Sequence, residues 1–205
     1  MDKDKLLYFW FQQVVEHANV VYELVDEKNE EFKEKSKNNF DLWKEMSYSN
    51  DKEFAQMLIY FNELLVEILE ELQYNNFFNY YPSLLTHMIM EHNYILALIN
   101  DSLTDKDHFA FWNNESIDHT LLIGNSVDPM WGYELTSENI KLAKELYSNP
   151  TVENFDNCDS QNRFILATLG NKEIKSICSV DMIEHELREA EMGRKILNEL
   201  FGGQK

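Results

Sequence analysis

Apolar residues recur in steps of three and four along most of the chain, the period of helices that bury one face. Residues 6–25 carry Trp10, Val14, His17, Val21 and Leu24 on one stripe and predict a first helix. Asp26-Glu27-Lys28-Asn29 reads as a turn. Residues 30–46 predict a charged, largely solvated helix whose apolar contacts are Phe32, Phe40 and Trp43. A turn and cap cluster at 47–51 leads to a third helix over 54–72, marked by Phe54, Leu58, Phe61, Leu65 and Ile68. Asn75-Asn76 opens a linker, and Pro82 suits the first turn of a fourth helix running to about Ile99. The stripe of that helix is Leu84, His87, Glu91, Tyr94 and Leu98, so two ionisable groups lie on a face turned toward a core. Such groups need partners, because burying an unpaired charge is costly.

The pattern then begins again. Phe9-Trp10 followed by Glu16-His17 recurs, 102 residues on, as Phe111-Trp112 followed by Asp118-His119. Val25-Asp26 recurs at the same spacing as Val127-Asp128, and Tyr48-Ser49-Asn50 recurs 99 residues on as Tyr147-Ser148-Asn149. His87 and Glu91 recur 98 residues on as His185 and Glu189. Landmarks in one order at a slowly shrinking offset predict a tandem duplication of a four-helix unit, 1–102 and 103–205, with a few residues deleted in the second copy. Its helices are expected at 107–127, 136–147, 157–168 and 174–200, with Gly202-Gly203 in a frayed tail. The fold class is therefore all-α, a duplicated up-and-down four-helix bundle, ferritin-like or bromodomain-like in general architecture.

Composition narrows the function. The chain has 6 Gly and 3 Pro, no Gly precedes Gly124, and no GxGxxG or Walker pattern is present, which argues against a nucleotide-binding α/β fold and for an all-helical one. A net charge of −19 repels nucleic-acid backbones and anionic membranes, so neither is an expected partner. There is no apolar span of membrane length and no signal-peptide cleavage pattern, and Cys158 and Cys178 are too few for a disulfide framework. These features predict a soluble cytoplasmic protein.

Each copy then has an acid–His pair on its first helix, Glu16-His17 and Asp118-His119, and a His-x3-Glu on its fourth, His87…Glu91 and His185…Glu189. The stripe around the second runs Cys178, Met182, His185, Glu189, Met192, Ile196. Imidazole and carboxylate together suit divalent iron, manganese or zinc, and bundles build such sites from inward side chains on facing helices. The expected cofactor is a divalent metal, iron or manganese before zinc. One mononuclear site per copy and one shared dinuclear site both stay open. Glu16 and Asp118 point about 100° away from the neighbouring histidines and are either ligands or partners of ligands. Glu115, one turn before His119, is a substitute for Asp118, although its counterpart in the first copy is Gln13. His92 and His108 do not recur, and His92 is expected to face another helix or solvent. A lone His on an apolar face is usually a hydrogen-bonded core residue. The competing reading is accordingly a metal-free, acidic interaction or scaffold module with a buried His–Glu network that fixes helix register. No catalytic nucleophile is legible, and a reaction, if there is one, is not specified.

Phe-Trp-x5-Glu/Asp-His in both copies, Val127-Asp128-Pro129, Tyr81-Pro82-Ser83-Leu84-Leu85-Thr86-His87-Met88-x2-Glu91-x-Asn93-Tyr94, and Ile174-Lys175-Ser176-Ile177 ahead of His185-x3-Glu189 together resemble domain-of-unknown-function family 2935. Its members are bacterial tandem four-helix proteins grouped as Bacillus cereus metalloprotein-like. The resemblance spans nearly the whole chain. It implies two four-helix repeats and a metal site at the His and carboxylate positions above, without a reaction. The chain departs from the pattern where His92 replaces the Ala usual after the first Glu. Ferritin-like di-iron proteins are a looser analogy, since they use Glu-x2-His.

Overall fold

The computed structural model describes residues 2–48, 50–177 and 179–201. Cys178, Ser49 and the glycine tail, all named above, lie outside the described residues. The described chain is all-helical: α1 (Lys3–Leu24), α2 (Glu30–Glu45), α3 (Asp51–Glu71), α4 (Ser83–Ile99), α5 (Asp105–Ser126), α6 (Pro129–Ser148), α7 (Val152–Gly170) and α8 (Val180–Phe201). It divides into two compact units, Met1–Ser102 and Leu103–Lys205, each holding four helices.

Helix starts follow local chemistry. The side chains of Asp2, Asn29, Asn50, Asp128 and Thr151 each accept a hydrogen bond from a backbone N–H in the first turn of their helix. Thr104 and Asp107 form a reciprocal capping box at α5.

In the first unit each helix packs on its sequence neighbours, and α4 closes the ring against α1. The interior is aromatic. Trp43 from α2 lies among Phe11 of α1 and Phe54 and Phe61 of α3, with ring centroids 5.9–6.3 Å apart.

In the second unit α5 packs on α6, α7 and α8, so one diagonal of the bundle is also filled. Small and polar side chains allow that approach. Thr120, Asn139 and Asn162 are buried. Asn139 donates to the Thr120 carbonyl at 2.8 Å, and Asn162 donates to the Thr120 hydroxyl at 3.3 Å. An apolar cluster of Ile123, Val127, Ile165, Ile174, Ile183 and Leu187 fills one end.

Both units share an isolated antiparallel bridge between the end of the first helix and the segment before the fourth. Val25 pairs with Phe78, and Val127 pairs with Ser176. The backbone N–H of Asp26 donates to the Phe77 carbonyl, and that of Asp128 donates to the Lys175 carbonyl.

Three second-unit helix starts differ from expectation, and the first is that of α7, which begins at Val152 and not near Asn157 because Thr151 caps it. α6 begins at Pro129, not near Thr136, because Asp128 caps it and Pro129 fits the first turn. Gly132 interrupts its helical geometry at φ −145°, ψ 31°, and a Cβ there would stand 2.3 Å from Val127 Cγ1. α8 begins at Val180 because the segment before it is engaged elsewhere: Ser176 forms the bridge to Val127, the Lys175 carbonyl accepts from Asp128 N–H, and Ile177 N–H donates to the Ser126 carbonyl.

Candidate metal centre

The α1 stripe turns His17 inward, and the four-residue spacing on α4 turns His87 and Glu91 to one face. All three are buried, Glu91 completely. Glu91 divides its oxygens between the two rings: Oε2 lies 3.4 Å from His17 Nε2, and Oε1 lies 3.6 Å from His87 Nε2. His92, the next residue, does face another helix. It is fully buried, with its ring 5.0 Å from that of Phe61 on α3. Its Nδ1 lies 2.7 Å from Asn62 Oδ1, and its Nε2 lies 3.3 Å from His17 Nδ1. Burial, followed by the influence of His87, pushes the His92 pKa down to about 3.

The second unit repeats the arrangement. Glu189 Oε2 lies 3.4 Å from His119 Nε2 on α5, and Oε1 lies 3.3 Å from His185 Nε2 on α8. Two further carboxylates join it. Glu115 Oε1 lies 3.1 Å and Glu186 Oε2 2.6 Å from the same His119 Nε2. All five side chains are buried. Donor atoms of His119, Glu186 and Glu189 lie within 4.8 Å of one another, close enough to hold one metal ion. Burial alone would lower the His119 pKa, but Glu186 and Glu115 outweigh it and hold the imidazole well above its ordinary value.

Of the eight residues singled out from sequence, the structure brings His17, His87 and Glu91 together in one unit and His119, His185 and Glu189 together in the other. Glu16 and Asp118 are half-buried. Among the described residues, neither belongs to a group of three or more metal-ligating side chains with donor atoms within 4.8 Å. On α5 Glu115 stands where Asp118 was considered. Glu186 was missed, because it sits about 100° round the helix from His185. Its signal was the three-residue spacing to Glu189.

The two sets therefore differ in charge. At the repeat-equivalent positions, Gln13 stands for Glu115, Met88 for Glu186, and His92 for Ala190. The first set has one carboxylate and an extra imidazole; the second has three carboxylates. Cys158 is a buried free thiol, its pKa raised by burial. No described helix is long and apolar enough to cross a membrane.

A crystal structure of an uncharacterized protein from Bacillus cereus G9241 has the same fold, with a TM-score of 0.77 over 96% of this chain and 89% of that one. The two are 14% identical, so the likeness is one of fold. No family model and no curated protein matches the chain.

Proposed function

We propose that the protein binds divalent metal, iron or manganese before zinc, through His17, His87 and Glu91 in the first repeat and His119, His185 and Glu189 in the second. Glu115 and Glu186 add to the second set, and Glu16 and Asp118 support the histidines beside them. The observation that carries this reading is the gathering of Glu115, Glu186 and Glu189 around one His119 nitrogen in a buried site. Buried carboxylates gathered on an imidazole nitrogen are the donor types that suit a divalent cation. The 3.3–3.6 Å His–Glu separations around Glu91 and Glu189 support it as well. They exceed ordinary hydrogen bonds. Two donors about 2.1 Å from one ion stand roughly 3.0–3.4 Å apart.

When bound, such an ion supplies Lewis acidity and, if it is iron, electron transfer. The protein's own groups bury it and fix the ligand rings. Membership of family 2935 and a cytoplasmic location belong to the same proposal, supported by the motifs in both repeats and by the likeness of fold.

The metal-free reading, an acidic scaffold with a buried His–Glu network, is favoured by one contact, the 2.6 Å ion pair between His119 and Glu186. Metal analysis of protein purified without added metal or affinity tag separates the two. Metal near stoichiometry, with a melting temperature that falls on chelation, is the expected result. Less than about one-tenth of a metal per chain, with no response to chelator, would overturn it.

A further inference from the structure

We propose that His92 and Asn62, neither of them a metal ligand, are positioning residues that hold His17 in the tautomer a metal requires, with the Nε2 lone pair facing Glu91. The proposal rests on the metal-binding reading above. It follows from donor and acceptor capacity alone. Asn62 Oδ1 can only accept, and it lies 2.7 Å from His92 Nδ1, so that nitrogen carries the hydrogen. His92 is fully buried beside Phe61, and among the described residues no carboxylate pairs with it, so it has no support for a second proton. A neutral imidazole has one N–H, which makes His92 Nε2 an acceptor. His17 Nδ1 lies 3.3 Å from it and must donate. In the neutral ring the bare nitrogen of His17 is then Nε2, which stands 3.4 Å from Glu91 Oε2. In that tautomer Nε2 and the carboxylate both present lone pairs that a cation can take. The nitrogen that binds a metal is set by the hydrogen bond its partner nitrogen makes.

The second repeat lacks this device. Ala190 occupies the position equivalent to His92, and His119 Nε2 meets three carboxylates instead. The relay from α3 through α4 to α1 is thus particular to the first repeat: the Asn62 amide acceptor, the His92 imidazole that passes on its polarity, then His17.

Imidazole nitrogen NMR on the full chain, labelled at histidine and freed of metal by chelator, reads the tautomers directly. The expected result is Nδ1–H with bare Nε2 on both His17 and His92. His92→Gln, whose side-chain carbonyl can still accept from His17 Nδ1, should preserve the His17 tautomer. His92→Leu should give a mixture and weaken Mn2+ uptake at the first repeat about tenfold or more. Nε2–H on His17 in the metal-free wild type would overturn the proposal even if Mn2+ binds. The expected tautomers with no Mn2+ uptake would instead overturn the metal reading, and with it the purpose assigned to His92 and Asn62.

Discussion

His17 on α1 and Glu91 on α4 meet nitrogen to oxygen at 3.4 Å, and both side chains are buried. His119 and Glu189 meet at the same 3.4 Å in the second unit. In each unit the second carboxylate oxygen turns to the histidine one turn earlier on its own helix. One glutamate thus ties the first helix of each bundle to the fourth. Replacing it by Gln keeps the volume and removes the charge. Glu91→Gln and Glu189→Gln should each weaken metal binding by about tenfold or more at their own repeat. Metal-free stability should hold or rise, since a buried carboxylate is replaced by a neutral amide. Equilibrium dialysis with Mn2+ and urea unfolding read the two effects. Undiminished uptake in both variants would remove the glutamates from the ligand set.

The close approach of α8 to α5 depends on Gly193. A Cβ there would stand 2.6 Å from Trp112 Cε3 and 3.3 Å from Phe155 Cζ. Trp112 is fully buried and lies one turn before Glu115. Gly193→Ala should therefore destabilise by about 1–3 kcal/mol through overpacking. Gly170→Ala meets nothing within 4 Å and should be neutral or slightly stabilising. Equal melting temperatures for the two variants would contradict this account of the helix contact.

Most of this architecture is readable from hydrophobic spacing, because long amphipathic helices leave a strong period and the repeat doubles the signal. The inward positions of His17, His87 and Glu91 follow from their stripes alone. The spacing loses its grip where backbone replaces side-chain pattern. The bridge through Lys175 and Ser176 is held by main-chain hydrogen bonds, so an apolar Ile174 reads as helix. The start of α6 is obscured by Gly132, whose break is a kink within one element rather than its beginning. Glu186 was hidden for a different reason. A four-residue spacing selects Glu189 with His185, but His119 arrives from α5 between the rows and meets Glu186 as well. Which residue on α8 a neighbouring helix touches depends on how the helices pack, and one helix's periodicity does not carry that.

Arg194 on α8 and Asp159 on α7 form a second tie in the later unit. Arg194 Nη2 lies 2.5 Å from Asp159, which is buried, and its Nε lies 2.6 Å from Asp156. Arg163 also reaches Asp159 at 3.1 Å but is nearly half exposed. Arg194→Met should cost about 1–3 kcal/mol, because it strips most of the compensation from a buried carboxylate. Arg163→Met should cost under about 1 kcal/mol, as exposed pairs do. Chemical denaturation of both variants tests the ranking, and a reversed order would show that Asp159 depends on the exposed arginine.

The low pKa of His92 gives metal-free protein a defined acid sensitivity. Its folded value is about 3 against 6.5 for the free side chain, lowered first by burial and then by His87. Below about pH 6.5 the unfolded chain binds a proton that the native state refuses. Stability from this group is therefore whole above pH 6.5, falls as the pH drops toward 3, and changes no further below that. The slope is at most about 1.4 kcal/mol per pH unit. His119 works in the opposite sense. Its raised pKa gives stability that is present below pH 6.5 and lost as the pH rises through the folded value. The wild type sums both trends with those of its carboxylates. Comparison with His92→Leu isolates one of them, because the other groups remain in both proteins. Urea midpoints between pH 4 and pH 6.5, in chelator, should fall more steeply on acidification for the wild type than for the variant. Parallel curves would mean that His92 accepts a proton in the folded state, and the hydrogen bond it receives from His17 would then have to reverse.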